Sequence, residues 1–404
     1  MKFFYDIFHV FRREMRLVFT DVGVMLFFFA LPLAYPIVYT LIYNPEVVTE
    51  IPTVIVDGSR SAESRELERA IDATPGIHVI GYASDMAEAR RAMARKDAYG
   101  IIEVPADYAR KIGRGEPATM SFYADMSLLI RYRQYLFALT DVRMDQTMKI
   151  TAERLQTGGL LTTTVTGMPV DQKAFFMGDT SQGFASFVMP GIVILILQQS
   201  LLLGICMIAG TACDRRRRDP AGRDPLDYGT GTVATVLGKA LCHIAIYLPM
   251  AYYVMAVIPH LFKMPEEAMF IESMPMIFVM LLATSFLGQT LQIFARERES
   301  SLLVIVFTSV VFLFLSGLTW PRYAFSPFWK MASDLVPATW GVESFIRMNG
   351  NGSSLADVSD FYLPLWILAG VYFITALLMR RATHPRKIRN KELTVENNTS
   401  PDNS

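Results

Sequence analysis

The sequence predicts an α-helical integral membrane protein of six transmembrane helices, with an α/β domain inserted between the first and the second. Three observations carry that expectation. Apolar residues make up 52% and charged residues 19% of the 404, with a mean hydropathy of +0.31. A soluble domain has about 45–50% apolar and about 25% charged residues. The apolar excess is gathered into long uncharged runs rather than spread as short-period stripes, and basic residues cluster at every second gap between those runs. The 38 basic and 38 acidic residues cancel, so no basic surplus points to nucleic acid. High hydrophobicity without net charge excludes a largely disordered chain.

Residues 1–21 form an amphipathic helix in this reading. Phe4, Phe8, Phe11, Met15 and Val18 share one side of a helical wheel, and Asp6, His9, Arg13 and Arg16 share the other. Such a helix lies in the cytoplasmic interface of a membrane; the plainer alternative is a basic anchor for the next span. Residues 22–43 are the first span. Val22–Tyr43 contains no Asp, Glu, Lys or Arg, includes Pro32 and Pro36, and has no small-x-small site after it, so it is not a cleaved signal peptide.

Residues 44–182 alternate strands and helices. Pro52–Asp57, Ile77–Tyr82, Tyr99–Val104 and Met120–Ala124 read as strands. Between them lie helices at Ser61–Ala73 and from an N-cap at Ser84 to about Lys96. That alternation predicts a small α/β sheet. A long helix follows from Ser127 to Thr157, with Leu129, Tyr132, Leu136, Leu139, Val142 and Met144 inward, and Thr162–Val170 reads as a further strand.

Residues 183–380 hold five more uncharged runs, Gly183–Cys213, Ala240–Phe262, Ser273–Ala295, Ser300–Pro321 and Phe361–Met379. Each is long enough to cross a ~30 Å hydrocarbon core at about 1.5 Å per residue. Residues 381–404 are polar and read as a disordered cytoplasmic tail. With six spans, Lys2, Arg12, Arg13 and Arg16, the run Arg215–Arg218, Arg296 with Arg298, and Arg380 with Arg381 all fall on one side. The other side has Lys263, Arg322, Lys330 and Arg347. Basic loops stay inside, so both termini are expected in the cytoplasm and residues 44–182 in the periplasm.

No catalytic constellation is visible. The five His have no ligand spacing, so no metal site is expected. Cys206, Cys213 and Cys242 lie in or beside spans and make no disulfide framework. His243, just inside the third run, is either a relay group or a packing group hydrogen-bonded near the cytoplasmic end. The runs lack the buried carboxylate or lysine of an ion-coupled transporter. Gly231–Ala240 fails as a phosphate loop because Ala240, not Ser or Thr, follows Lys239. The chain is therefore expected to be no enzyme, and active transport would draw its energy from another chain.

Phe314-Leu-Ser-Gly-Leu-Thr-Trp-Pro321, then Phe328-Trp329, then Leu335-Val-Pro-Ala-Thr-Trp340, resembles the C-terminal signature of ABC-2-type transporter permeases. Phe187-Val-Met-Pro-Gly191 and Gly238-Lys239 also resemble that family. So do Val54–Asp57 with Ser61 and Ser64, Tyr99–Pro105 and Phe122–Asp125, which are similar to the drug-efflux-type branch with a large extracytoplasmic domain. The resemblance spans about residues 10–380. Many members carry a Glu-Arg-Glu-x-Gly-Thr-like stretch after the second span; here that place reads Asp214–Asp224, and Arg296-Glu-Arg-Glu299 follows the fourth span.

The resemblance implies the membrane (permease) subunit of an ATP-binding-cassette exporter in a bacterial inner membrane. It would move a hydrophobic or amphipathic small molecule or lipid outward. ATP and Mg would sit on a separate ATPase subunit, with no cofactor in this chain. A second permease subunit, identical or a paralogue, completes the pair, and the external domain implies a periplasmic adaptor (membrane fusion) protein and an outer-membrane channel. Candidate ATPase-coupling residues are Arg12, Arg13, Arg16, Asp214, Arg215, Arg216, Arg217, Arg218, Arg296, Glu297, Arg298 and Glu299. For Arg215–Arg218, contact with anionic lipid is an equal alternative. Candidate path residues, at a seam between second and fifth spans, are Gln198, Gln199, Ser200, Gln289, Gln292, Ser309 and Ser316. Residues 321–349 would form re-entrant helices at the outer gate, with Gly317, Trp320, Pro321, Phe328, Trp329, Pro337 and Trp340; an aromatic interface belt is the alternative. A reading of a different class is a membrane-anchored sensor or interaction protein that uses its α/β domain.

Overall fold

The computed structural model describes residues 2–43, 47–157, 183–219, 224, 230–264, 269–295 and 297–383. The expected strand at Thr162–Val170, Arg296, and the tail beyond Thr383 lie outside them. From the N-terminus, helices α1 (Lys2–Thr20) and α2 (Val22–Ile42) precede β1 (Ile51–Asp57), α3 (Ala62–Asp72), β2 (Ile77–Tyr82), α4 (Met86–Ala94) and β3 (Gly100–Val104). Then come α5 (Tyr108–Arg114), β4 (Ser121–Ala124), α6 (Leu129–Thr157), α7 (Phe184–Arg218), α8 (Thr232–Leu261) and α9 (Phe270–Leu291). The last helices are α10 (Arg298–Leu315), α11 (Pro327–Asp334), α12 (Pro337–Asn351) and α13 (Ser359–Thr383). The chain divides into a helical unit, Met1–Asn44 with Phe176–Ser404, and an α/β unit, Pro45–Phe175.

Among its described residues the α/β unit has a four-stranded sheet in the order β2-β1-β3-β4, parallel except for the antiparallel β3–β4 pair. Period-2 alternation sends Ile51 and Ile55 of β1 and Ile102 and Val104 of β3 into the larger core, with Val54 and Ile101 in a smaller one. Ser61 and Ser64 form a capping box at the start of α3. The cap of α4 is Asp85 rather than Ser84: the Asp85 carboxylate accepts from Glu88 N at 2.7 Å, and Ser84 instead donates to Glu88. The inward face of α6 also differs from expectation. Tyr135, Ala138, Leu139 and Val142 are buried, whereas Leu129, Leu136 and Met144 are exposed. Leu139 and Val142 thus pack inward as expected, while earlier in the helix Tyr135, an aromatic ring on the sheet, takes the inward place instead of Leu136.

Among the described residues of the helical unit, five helices are long and apolar enough to cross a membrane: α2, α7, α8, α9 continued to Phe294, and α13. Helix α10 has the shorter apolar stretch Ile305–Leu315. It ends six residues before the expected Pro321, because Ser316 and Gly317, at φ +85°, turn the chain. Helix α7 outruns its expected end and carries Asp214–Arg218 as helix rather than loop. Arginines extend helices readily, and cations at a C-terminus complement its dipole. Helix α8 begins at Thr232, before Ala240, so Lys239, the charge that ended the apolar run, lies within it and pairs with Glu14.

Two helices carry π-helical turns, Leu26–Ala30 in α2 and Tyr253–Val257 in α8. Each ends two residues before a proline, Pro32 or Pro259. The carbonyl that such a proline leaves without a donor, four residues back, belongs to Phe28 or Met255 at the centre of the π turn. The wider turn absorbs the clash and lets each helix run on.

The start of α2, the end of α7, the first turns of α8, the residues after α9, the start of α10 and the end of α13 meet at one end of this unit. The six helices thus alternate in direction. Helix α1 crosses α8 at that end, burying Val10, Glu14 and Val18. The expected apolar stripe is divided: Val18 packs inward, while Phe4 and Phe8 stay 73% and 60% exposed.

Candidate functional site

The end where the six helices meet is the candidate site. Helix α1 approaches α8 at Gly238, where a β-carbon would stand 2.7 Å from the Ile7 carbonyl oxygen and 2.8 Å from Val10 Cβ. One residue on, Lys239 Nζ meets Glu14 Oε1 at 3.3 Å, and Arg13 Nη2 lies 3.7 Å from Glu14 Oε2. Glu14 is only 1% exposed. Burial pushes its carboxyl up, but the nearby Lys239 and Arg13 charges outweigh burial and hold it below the ordinary range. Gly238-Lys239 is thus a docking point for α1: the glycine makes room and the lysine supplies the charge.

Three further ion pairs tie the same end together. Arg215 Nε and Nη2 donate to both oxygens of Asp224 at 3.0 Å, a bidentate pair. Arg298 Nη2 reaches Asp21 Oδ1 at 2.7 Å, and Asp21 also caps α2 by accepting from Gly23 N and Val24 N. Arg217 Nη1 donates to Glu297 Oε1 at 2.8 Å, with both groups exposed and screened by solvent. A cavity of about 400 Å³ bordered by Asp21, Arg215 and Arg298 and one of about 150 Å³ bordered by Arg13, Glu14, Lys239 and Arg380 open here.

The expected coupling residues are therefore gathered from three separate stretches of sequence, α1, the end of α7 and the start of α10. Arg12, Arg16, Arg218 and Glu299 are exposed, and Asp214 and Arg216 are half-buried. Arg296 lies outside the described residues. Sequence reading missed Glu14, Asp21, Asp224 and Lys239 as their partners. The signal for Glu14 was its place between Val10 and Val18, one turn from each.

The expected path residues do not form one group. Gln198 is buried, and its Oε1 accepts the Ala338 N–H at 2.7 Å, satisfying an orphan donor in the first turn of α12. Ser200 accepts from the Tyr247 hydroxyl at 3.0 Å. Gln289 Nε2 donates to the Val236 carbonyl at 3.2 Å, and Ser316 bonds within its own turn. Gln199 is half-buried, and Gln292 borders the smaller cavity. Ser309 stands on α10 among exposed Val306, Phe307, Val310 and Val311. His243 packs inside the bundle with Nδ1 2.7 Å from Ser285 Oγ, a packing position as the second of its two readings expected.

At the opposite end, the segment expected to be re-entrant consists of α11 and α12, with Pro327 and Pro337 in their first turns, where proline fits. Arg322 organises it. The guanidinium is 8% exposed, pairs with Asp334, lies 3.5 Å from Glu343 and stacks 4.3 Å over the Trp340 ring. The Trp340 indole N–H donates to the Asp334 carbonyl at 2.9 Å. Gly317 faces this cluster, with Arg322 Cγ 3.1 Å from where its β-carbon would be. Pro321 is extended and begins the turn, while Trp320, Phe328 and Trp329 are exposed. Among the described residues, no three His, Cys, Asp or Glu gather as metal ligands.

The family model for ABC-2 family transporter proteins matches residues 23–378. The chain belongs to the ABC-2 transporter family. No curated protein and no solved structure matches it. Membership makes it a multi-pass membrane protein and implies an ATP-binding-cassette ATPase as partner. Within an ABC-2 chain, the Ser316–Trp340 signature holds the buried Arg322 cluster, and Gly238-Lys239 holds α1.

Proposed function

We propose that this chain is the permease subunit of an ATP-binding-cassette exporter. It moves a hydrophobic or amphipathic small molecule or lipid outward across a bacterial inner membrane, with ATP and Mg bound by a separate ATPase chain. The observation that carries this reading is the convergence of α1, the end of α7 and the start of α10 on one charged end, joined by Arg217–Glu297 and Arg298–Asp21. An ATPase docked there would touch the ends of several membrane helices at once, so its closure would be felt across the bundle. Polar, mixed-charge surfaces of this kind give salt-sensitive, specific contacts.

In this reading α10 is the sixth span, the charged end is cytoplasmic and holds both termini, and α1 is the interface helix. The α/β unit is then an extracytoplasmic domain of a drug-efflux-type member, facing an adaptor protein and an outer-membrane channel. The exposed Val306, Phe307, Val310 and Phe314 face of α10 suits a seam with a second permease subunit, identical or paralogous. Helices α11 and α12 serve as the outer gate.

The test is co-purification of the full chain with ATP-binding-cassette ATPases encoded beside it. Capture of one ATPase, weakened several-fold by Arg218→Glu with Glu299→Lys and by raised salt, is the expected result. No capture of any of them would favour the membrane-anchored interaction protein.

A further inference from the structure

A third cavity lies at the end of the bundle opposite the charged one, where α7 begins and α8 ends, and its wall is rich in sulfur. Met189 of α7, Met255 of α8 and Met264, just after α8, border the same space. Its volume is about 20 Å³. One water needs roughly 10–15 Å³, so the space admits a water or a single ion and no organic molecule. Ser186 and Asn349 are the polar residues of the wall, and among the described residues no His, Cys, Asp, Glu, Lys or Arg borders it. Calcium and magnesium take oxygen ligands, and zinc takes thiolate, imidazole or carboxylate. A thioether is a soft, polarisable donor that selects Cu(I). Three neutral ligands also suit a single positive charge better than two.

The backbone departs from regular geometry twice where it brings these methionines together. Met255 stands at the centre of the π-helical turn Tyr253–Val257, a distortion frequent at functional sites. Lys263 takes a left-handed φ of +54°, uncommon for a residue with a side chain. The chain folds back there, and Met264 N donates to the Pro259 carbonyl at 2.9 Å. Met264 is thereby returned to the cavity, which Pro259 also borders. Left-handed strain of this kind clusters at active sites and ligand clamps. Met189 and Met255 are buried, so they face no bulk water that would compete for an ion. We propose that this cavity binds one Cu(I) ion through the thioethers of Met189, Met255 and Met264, which clamps the end of α8 to the start of α7. The proposal is independent of the ATPase partner and of the direction of transport.

The experiment equilibrates the full chain in detergent with chelator-buffered Cu(I) under reducing conditions and counts bound copper. Cys206, Cys213 and Cys242 are common to the parent and every variant, so differences between them report the methionines. Met255→Leu and Met264→Leu nearly conserve side-chain volume and should leave the fold intact. Each should weaken the binding of a single Cu(I) by about tenfold or more, the scale on which even outer partners of a metal matter. Met331→Leu, on exposed α11, should leave it unchanged. Ag(I) should compete for the same site, and Zn(II) should not. Copper binding equal in the parent, Met255→Leu and Met264→Leu would overturn the proposal and leave the cavity to a water. Displacement of the copper by Zn(II), or an equal loss in Met331→Leu, would also overturn it.

Discussion

Glu14 and Lys239 are the residues on which the charged end depends. A buried ion pair contributes little net stability, but deleting one partner strands the other charge and costs about 3–5 kcal/mol. Glu14→Ala should therefore lower the unfolding temperature in detergent markedly, and Glu14→Leu with Lys239→Met should recover most of the loss. The pH dependence has a definite sign. The folded carboxyl of Glu14 lies below its ordinary value, so its contribution is full above about pH 4.3 and is lost as pH falls through the depressed pKa. Thermal unfolding of the parent should lose this increment only in acid, and Glu14→Gln should flatten that part of the profile. Arg322 is the counterpart at the other end. Arg322→Lys keeps the charge but gives up the planar stacking on Trp340; a loss of about 1–2 kcal/mol is expected, and Arg322→Ala should cost about 3 or more. Neither residue was legible as a partner in the sequence. Pairing across 225 positions, as for Glu14 and Lys239, leaves no local periodicity to read.

At the scale of elements, the legible features were those set by local chemistry. Long uncharged runs gave the membrane helices, and short apolar, β-branched runs separated by helical stretches gave all four strands of the sheet. The errors came where tertiary packing overrode local pattern. On α6 Tyr135 rather than Leu136 packs inward, Asp85 outcompeted its neighbour Ser84 for the cap of α4, and α10 stopped at the positive-φ Gly317. Helix α1 shows both effects: its amphipathic character was legible, but the side that packs was not, because a carboxylate sits at its centre. Gly238 is the test at this scale. Gly238→Val would force its side chain against the Ile7 carbonyl and Val10, an overpacking cost of about 1–3 kcal/mol. Helix α1 should then detach, and trypsin should cut at Arg12, Arg13 and Arg16 several-fold faster than in the parent.

For the whole molecule, the alternation of basic and basic-poor gaps anticipated that the basic segments share one end, and the structure gathers Arg13, Arg215, Arg216, Arg298 and Arg380 there. The arginines of the site and Glu297 were thus legible, while Glu14, Asp21, Asp224 and Lys239 as their partners, and the cavities, were not, because these depend on how separate helices cross. The path residues fared differently. Gln198, Ser200 and Gln289 were chosen as polar groups in apolar runs, and each has a hydrogen-bond partner within the bundle. Polar side chains in spans serve packing at modest gain, and sequence does not separate that use from lining a route. Coupling of this bundle to an ATPase through its charged end would show in ATP turnover. The partner ATPase would be measured alone and in complex with the full chain in nanodiscs. A several-fold change in turnover on complex formation is expected, abolished by Arg217→Ala with Glu297→Ala without loss of the folded chain. Turnover identical with and without the chain would contradict it.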